Sequence, residues 1–342
     1  MVGSISREAL RLERRGDYPL LVVVGPTAAG KSAMALALAE RLDGEIVNFD
    51  SVQVYRGFNI GTGKLAPEER RGIPHHLLDC VEPDQVFTAG DFAREASRVL
   101  ASLRGRNKPP ILVGGTGLYL RALLVGLFEG PSRSEALRAR LGELAGRRGR
   151  EYLHRMLKRL DPASPVRIQT RDMQKIIRAL EVRLLAGRPI SALHTAGRKG
   201  LRGFRAFKVG LNPDRAELNR RINARVERMF ATGLLDETRA AFERCGNEPG
   251  AARRLTPLGA LGYRQACAAL RGEMSCEEAI GRTQAATRQY AKRQMTWFRR
   301  ESDAMWFAGF GDDLEIQRRV FEWLDGAMRV SAQTPERAIP PL

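Results

Sequence analysis

The clearest chemical signal in the sequence is an eight-residue segment, GPTAAGKS, that follows a short apolar run. It matches the pattern G-x-x-x-x-G-K-[ST], in which Gly25 and Gly30 let the backbone turn tightly and direct its N–H groups inward. Lys31 adds a positive charge, and Ser32 offers a hydroxyl ligand for a magnesium ion. The pattern predicts a polyphosphate-binding loop formed by Gly25, Pro26, Thr27, Ala28, Ala29, Gly30, Lys31 and Ser32.

Further polar side chains follow two other predicted strands. Asp50 and Ser51 come after the strand 45–49, and Thr116 stands in a glycine turn after the strand 111–113. Because ligands of open parallel sheets bind at the carboxyl ends of the strands, these side chains should face the same rim as the loop. From position alone, Asp50 is equally well explained as the cap of a turn. At the Thr116 position, a nucleotide-hydrolysing motor usually carries an acidic residue instead.

Strand and helix patterns alternate along the parts of the chain that carry these residues. Apolar runs at 21–24, 111–113 and 206–211 predict buried parallel strands, and amphipathic stretches between them predict helices. This alternation predicts an α/β fold, a P-loop kinase-like parallel sheet flanked by helices. We divide the chain into a flexible N-terminus (1–18), a catalytic core (19–122 plus 203–330), an all-helical insertion (123–202) and a disordered tail (331–342).

Positive charge dominates the composition, with 57 Lys and Arg against 39 Asp and Glu and a net charge of +18. Residues 129–200 alone hold 17 basic and 7 acidic residues. Around the helix predicted at 172–185, Arg171, Lys175 and Arg178 lie opposite an apolar stripe. A balance this basic favours polyanionic partners, nucleic acid ahead of membranes. We interpret the basic face as a contact with a phosphate backbone.

Two later segments carry more basic residues. Arg221, Arg225 and Arg228 share one face of a predicted helix, which either points toward the phosphate-binding loop or lies on the surface. The segment 283–300 holds five basic residues and no acidic ones, together with Tyr290 and Trp297. Aromatic and basic residues mixed in this way are typical of a nucleic-acid groove.

Cysteine, histidine and apolar patterns argue against several other classes. The four cysteines show no C-x-x-C pairing, as expected for thiols in a reducing cytosol. His75 and His76 lack further ligands at metal-binding spacing, so we interpret them as structural. The first 19 residues lack the apolar region of a signal peptide, and no run is long enough to span a membrane. We therefore expect a cytoplasmic protein with no membrane partner.

Three classes of function fit these features. The first is a small-molecule kinase that uses ATP, which leaves the basic insertion unexplained. The second is a nucleic-acid ATPase, which lacks its acidic magnesium residue. The third is a transferase whose diphosphate is a leaving group, and it accounts for every feature if the second substrate is RNA.

Several longer motifs resemble one family, the bacterial tRNA dimethylallyltransferases, also called IPP transferases. The similarity extends from Leu21 to Trp306, with the motifs in order and at matching spacing. The motifs are GPTAAGKS, the run DS-x-x-x-Y-x-G-x-x-IGT-x-K from Asp50 to Lys64, PHHLLD, LVGGTGLYLRALL, the segment DP…RI…D-x-Q-x-x-x-RALEV, GYRQ and TRQYAKRQ-x-TW.

The resemblance implies an activity. Members of the family transfer a dimethylallyl group from dimethylallyl diphosphate to N6 of the adenosine immediately 3′ of the anticodon, in tRNAs that read codons beginning with U. The phosphate-binding loop then holds the diphosphate with Mg²⁺ as cofactor. The partners implied are the anticodon stem-loop of tRNA and the prenyl donor. Nothing in the sequence suggests an obligate dimer, so we expect a monomer.

The resemblance also assigns roles to individual residues. Asp50 would be the general base, and Thr116 would help to place the adenine. Lys31, Thr27 and Arg225 would neutralise the leaving diphosphate, and Ser32 would contact the metal. The residues implied to contact tRNA are Asp50, Ser51, Val52, Gln53, Thr116, Arg138, Gln174, Lys175, Ile176, Ile177, Arg178, Gly259, Ala260, Leu261, Gly262, Tyr263 and Arg264.

One departure from the family pattern concerns the loop itself. Ala29 stands where serine is more usual, which predicts the loss of one hydrogen bond to the diphosphate. Ser32 replaces the more usual threonine but keeps the hydroxyl that magnesium binding needs.

Overall fold

The computed structural model describes residues 17–166, 168–195, 199–245 and 255–333. Its central feature is a six-stranded sheet whose paired strands all run parallel, in the order β3-β2-β4-β1-β5-β6. The strands are β1 (Tyr18–Val24), β2 (Glu45–Asn48), β3 (His75–His76), β4 (Pro110–Val113), β5 (Phe204–Leu211) and β6 (Ala304–Phe307). The predicted α/β class with a parallel sheet is therefore confirmed.

Twelve helices accompany these strands in the described residues. They are α1 (Lys31–Leu42), α2 (Ala89–Gly105), α3 (Gly117–Leu124), α4 (Glu135–Arg148), α5 (Arg150–Leu160), α6 (Met173–Ala186), α7 (Ile190–Thr195), α8 (Arg215–Ala231), α9 (Leu234–Cys245), α10 (Tyr263–Leu270), α11 (Cys276–Phe298) and α12 (Leu314–Gln333).

Strand β1 is the point at which the order of strand addition in the sheet reverses. Residues 20–24 are all apolar and fully buried, as expected for a parallel strand covered on both faces. Leu21 pairs with Ile111 of β4 on one side and with Phe207 of β5 on the other. The chain fills one side of β1 with β2 and β4 before it crosses to β5 and β6. Such a switch point opens a crevice at the carboxyl ends of the strands, where ligands bind.

The chain divides into two compact units, Leu124–Gly200 and the remainder. In the larger unit, α1 and α12 pack with β1 and β5 around residues such as Met34, Leu38 and Leu324. The unit Leu124–Gly200 is helical and contains α4 to α7. Its own core is formed by residues that include Leu153 and Leu180.

Local signals located most element ends, with three differences. Strand β1 begins at Tyr18, which was assigned above to the flexible N-terminus. His75 and His76 form the short strand β3, which pairs with β2. Helix α12 continues to Gln333, so residues 331–333, assigned above to the tail, are helical. Residues 1–16 of the predicted flexible N-terminus and residues 334–342 lie outside the described residues. Within the described chain, no helix is both long and apolar enough to cross a membrane.

Candidate active site

The phosphate-binding loop joins β1 to α1. Neighbouring atoms lie so close to Gly25 and Gly30 that neither position has room for a side chain. Gly25 has a φ of 146°, and a Cβ atom there would lie 2.8 Å from the carbonyl oxygen of Leu211 in β5. Gly30 has a φ of 79° and precedes α1, and a Cβ atom there would lie 2.7 Å from Asp312 Oδ1. Any other residue would strain this turn. The loop and the first turn of α1 face a cavity of about 1050 Å³.

Lys31 places its ammonium group inside this cavity. Its Nζ donates to the carbonyl oxygen of Pro26 at 2.8 Å. Desolvation, reinforced by the nearby charge of Arg225 and opposed by Asp50, lowers the pKa of Lys31 to about 7. The free site thus holds a lysine whose positive charge is only partly stabilised.

Arg225, on α8, is the second cation of the cavity. Its Nη2 lies 3.5 Å from the carbonyl oxygen of Thr62 and 3.4 Å from that of Gly63. Desolvation also lowers the pKa of Arg225, and Asp50 again opposes the shift. Neither cation forms a salt bridge with a carboxylate in the described part of the chain. Two cations held in this way form a site for a multiply charged anion.

The other two arginines of α8 also line the cavity. Arg221 donates to both carboxylate oxygens of Asp312, at 2.8 and 2.7 Å. Its guanidinium lies 3.7 Å from the centre of the Phe310 ring. Arg228 is exposed at the mouth of the cavity. The arginine face expected from the spacing therefore points toward the loop, and Arg221 is already paired.

Asp50 lies in the same cavity, just after β2. Its Oδ1 accepts hydrogen bonds from the backbone N–H groups of Val52, at 2.9 Å, and Gln53, at 3.4 Å. This turn orients the carboxylate, so the capping function weighed from the sequence is real. The second oxygen, Oδ2, points toward Gly115 and accepts no hydrogen bond from the described residues. Asp50 therefore caps its turn with one oxygen and offers the other to a ligand.

Thr116 is tied to the segment that carries Asp50. Its Oγ1 accepts from the backbone N–H of Ser51 at 2.9 Å and donates to Ser51 Oγ at 3.1 Å. The glycine turn after β4 is thereby fixed against the end of β2. Lys31, Arg225, Asp50 and Thr116 thus lie around one end of the sheet.

Helix α11 packs against this glycine turn through three side chains that the sequence did not connect with it. The Tyr290 hydroxyl donates to the carbonyl oxygen of Gly115 at 3.3 Å, and desolvation together with the charge of Asp50 raises the pKa of Tyr290. Trp297 fills the space beside Gly117, and Gln294 the space beside Gly115. The spacing of 290, 294 and 297 places these residues on one helix face but does not indicate which loop that face contacts.

The loop Asn59–Lys64 is held by Glu237 of α9. The carboxylate accepts from the backbone N–H groups of Asn59 at 2.8 Å and Ile60 at 3.0 Å. Buried Tyr263 donates its hydroxyl to the same carboxylate. Lys64 Nζ forms an ion pair of 2.6 Å with Asp79. The N–H groups of Asn59 and Ile60 therefore donate to Glu237 and hold the loop against α9.

The residues expected to contact tRNA differ in their exposure. Within 259–264, Gly259 and Arg264 are exposed, whereas Gly262 and Tyr263 are buried. The Tyr263 side chain is buried and bonded to Glu237, and its expected contact with tRNA stays a prediction. Ala29 is also buried, packs in the apolar core and does not line the cavity. The expected effect of this alanine on diphosphate binding stays a prediction.

In the unit Leu124–Gly200, two arginines expected to contact tRNA are paired with a carboxylate. Arg138 donates to both oxygens of Glu181 at 3.0 Å, and Arg178 donates to Glu181 at 2.6 Å. The Glu181 side chain is 0% exposed. Burial alone would raise the pKa of Glu181, but the hydrogen bonds from Arg138 and Arg178 bring it below its usual range. These two arginines therefore stabilise the unit through Glu181, and their contact with tRNA stays a prediction.

The neighbours of Arg178 on α6 divide between surface and core. Gln174 and Lys175 are exposed, whereas Ile176 and Ile177 are buried. The apolar stripe predicted for this helix is therefore its core face. Of the segment 174–178, only the first two residues are exposed.

The fold and the cavity define a class of protein: a P-loop α/β protein with an anion site next to a carboxylate. Residues 53–301 match the model of the IPP transferase family. A tRNA dimethylallyltransferase of Solibacter usitatus is 51% identical over 304 residues, which cover 89% of this chain and 97% of that protein. The chain belongs to the IPP transferase family.

Solved structures agree with this assignment. The tRNA isopentenylpyrophosphate transferase of Bacillus halodurans is 34% identical, with a TM-score of 0.67, and the match covers 92% of this chain and 98% of that one. A eukaryotic dimethylallyltransferase acting on tRNA has a TM-score of 0.77 at 24% identity, over 93% of this chain and 81% of that one. At that identity, the second likeness shows the fold alone.

Proposed function

We propose that this chain is a prenyltransferase that moves a dimethylallyl group from dimethylallyl diphosphate to tRNA. The observation that carries the proposal is one cavity with two cations, Lys31 and Arg225, next to the carboxylate of Asp50. Among the described residues, neither cation has a carboxylate partner and one oxygen of Asp50 accepts no hydrogen bond. The cations suit a leaving diphosphate, and the carboxylate suits an amine that must lose a proton. Membership in the IPP transferase family supports the same reaction. It does not favour the small-molecule kinase.

The donor would bind with its diphosphate on the phosphate-binding loop. As the bond between the allylic carbon and oxygen breaks, negative charge grows on the diphosphate. Lys31, Arg225 and N–H groups of the loop would stabilise this charge. The N–H of Thr27 is bonded to Gln294, so Thr27 would contribute its side-chain hydroxyl. These groups are in place before the reaction, so the protein spends little energy on reorganisation.

A magnesium ion fits the donor set at this loop. Ser32 lies in the first turn of α1, is exposed and lines the cavity, and its hydroxyl is a hard oxygen ligand. Among the described residues there is no cluster of three His, Cys, Asp or Glu side chains, so Ser32 would share the ion with diphosphate oxygens and water. When bound, the ion would supply further neutralisation of the diphosphate charge.

The acceptor would be N6 of the adenosine that follows the anticodon, in tRNAs that read codons beginning with U. The nitrogen lone pair of this amino group is delocalised into the ring, which makes it a weak nucleophile. Asp50 Oδ2 would take one N6 proton while nitrogen bonds to the allylic carbon and the diphosphate leaves. Thr116, fixed to Ser51, would position the base after it leaves its stack.

Exposed polar groups of the two units would bind the rest of the tRNA. We assign this role to Gln174 and Lys175 of α6 and to Gly259 and Arg264 near α10. The net charge of +18 favours such a polyanion. We also propose that the enzyme acts as a monomer in the cytoplasm, where its tRNA substrates are.

An anticodon stem-loop RNA tests the position of transfer. With dimethylallyl diphosphate and Mg²⁺, the RNA with adenosine at the target position should gain one dimethylallyl group, located by nuclease digestion and mass spectrometry. A matched RNA with guanosine there should bind with similar affinity and gain nothing. Transfer to any other nucleotide, or equal modification of both RNAs, would contradict the proposed acceptor.

A further inference from the structure

A single side chain, Gln294, bridges the two loops that would hold the two substrates. Its Oε1 accepts from the backbone N–H of Thr27 in the phosphate-binding loop at 2.7 Å. Its Nε2 donates to the carbonyl oxygen of Gly115 in the glycine turn at 3.0 Å. Gln294 is 4% exposed and lies on α11, 267 residues from Thr27 in sequence.

The chemistry of the two backbone groups fixes the orientation of this amide. An N–H group can only donate and a carbonyl can only accept, so Thr27 must face the amide oxygen and Gly115 the amide nitrogen. The side-chain amide of glutamine carries both functions in one uncharged planar group. An apolar replacement would remove the acceptor of the Thr27 N–H and leave the Gly115 carbonyl with the longer bond from Tyr290.

The space around the bridge leaves little freedom. A Cβ atom at Gly115 would lie 2.4 Å from Gln294 Nε2 and 3.3 Å from both Asp50 Oδ2 and the Tyr290 hydroxyl. The amide thus occupies the place of a side chain at Gly115, next to the proposed base. A shift of Gln294 would move the glycine turn relative to the phosphate-binding loop.

The two loops follow neighbouring strands. In the proposed reaction, one holds the prenyl donor and the other holds the acceptor base. The loop after β1 carries Lys31, and the turn after β4 carries Thr116, which is bonded to the segment of Asp50. Transfer requires the allylic carbon and the amine nitrogen to approach within roughly 3–3.5 Å, and an error of about 1 Å can cost on the order of 10²-fold in rate. The separation of the loops therefore bears directly on catalysis.

We propose that Gln294 is a positioning residue that sets the distance between the donor loop and the acceptor turn. This inference rests on the proposed function, because it assigns each substrate to its loop. Gln294 binds neither substrate in this scheme. It keeps two separately formed half-sites at reacting distance.

The test compares Gln294→Met with a matched control on the same helix, Gln284→Met. Methionine keeps the length of the side chain and removes both hydrogen bonds. Gln284 bonds instead to the Asn223 carbonyl, at 3.4 Å, and to Glu227, at 2.9 Å, away from the cavity. For each protein, we would measure the melting temperature, the Kd for dimethylallyl diphosphate, the Kd for the stem-loop RNA, and the single-turnover rate at saturation.

We expect Gln294→Met to lower the single-turnover rate about 10²-fold or more, with each Kd changed less than about threefold. Gln284→Met should keep the wild-type rate. Gln294→Glu keeps the acceptor for Thr27 but sets an oxygen against the Gly115 carbonyl, so its rate should fall as well. This variant also covers the case in which Gln294→Met does not fold.

Two results would overturn the inference. One is a folded Gln294 variant with a near wild-type rate. The other is a loss of rate matched by equal losses in melting temperature and both affinities, which indicates a general structural role. If the wild-type chain itself transfers no dimethylallyl group, the proposed function fails, and this outcome is distinguishable from a failure of Gln294 alone.

Discussion

At the scale of single residues, the cavity holds two desolvated cations whose mutual repulsion a bound diphosphate would reduce. Lys31 and Arg225 repel one another, and desolvation lowers the pKa of both. Asp50 offsets this only in part. An anion bound between the two cations would favour their charged forms, so part of the binding free energy would come from relieved repulsion.

Proton uptake follows from the lowered pKa of Lys31. Below about pH 7 the lysine of the free protein is already charged, and above it the lysine is largely neutral. A bound diphosphate raises this pKa, so binding at pH 8 should draw a proton from solution, and affinity should fall as pH rises above 7. Calorimetry of inorganic pyrophosphate at pH 8, in buffers of different ionisation enthalpy, measures the uptake.

The Lys31→Met variant is the control for this prediction, because it keeps the titration of pyrophosphate itself. Wild type should take up more protons per bound pyrophosphate than the variant, by a number approaching one. Equal uptake by the two proteins would show that Lys31 is already charged in the free site.

Asp50→Asn tests the general base without a change in side-chain size. The amide can still accept from Val52 and Gln53 through its oxygen, so the turn should survive, but it cannot take a proton. We expect the single-turnover rate to fall about 10²- to 10⁴-fold, with the Kd for stem-loop RNA changed less than about threefold. Asp84→Asn, at an exposed carboxylate outside the cavity, should react as wild type. Parallel losses of rate and RNA affinity would remove Asp50 as the base.

At the scale of elements, α6 combines a structural ion cluster with an exposed basic face. Glu181 is buried between Arg138 and Arg178, whereas Lys175 is exposed and pairs with Asp172 at 3.1 Å. A buried carboxylate that loses one of its donors is costly, while a surface ion pair contributes little. Two basic residues three positions apart therefore have different functions.

Arg178→Ala and Lys175→Ala remove the same charge and should separate these functions. We expect Arg178→Ala to destabilise the helical unit by about 1–3 kcal/mol, and Lys175→Ala by less than about 0.5 kcal/mol. Hydrogen exchange of the α6 amides measures the stability of the helical unit, and the Kd for tRNA measures the contribution of each residue to RNA binding. Unchanged exchange in Arg178→Ala, with tRNA affinity lowered as in Lys175→Ala, would mean that Arg178 serves RNA alone.

The sequence predicted those elements whose signals are local. Four consecutive apolar residues before Gly25 indicated a buried strand followed by a tight turn, and both are present. The two residues of β3 carried no such pattern. Their pairing depends on β2, roughly 30 residues earlier in the chain.

The sequence predicted less of the site because its supporting contacts are distant in the chain. Gln294 meets Thr27 and Gly115, and Glu237 meets a loop 177 residues away. No local spacing marks such pairs. The basic face of α6 had the opposite problem, because its spacing was visible but not the buried Glu181 that already holds Arg178.

At the scale of the whole chain, a P-loop sheet and a basic helical unit occur in one protein. The charge of +18 and the anion site call for a polyanion and a diphosphate together. The hypothesis of a small-molecule kinase explains the phosphate-binding loop but leaves the basic helices unexplained. A transferase that releases diphosphate while acting on RNA uses both.

The most direct measurement follows two labels into bulk tRNA. The wild-type protein is incubated with Mg²⁺ and tRNA, in one case with dimethylallyl diphosphate labelled in the prenyl group, in the other with ATP labelled in the γ-phosphate. We predict that tRNA acquires label only from the prenyl donor, with one diphosphate released per group transferred. Unlabelled tRNA with the prenyl donor, together with transfer of the ATP label to an acceptor, would contradict this account and favour a kinase.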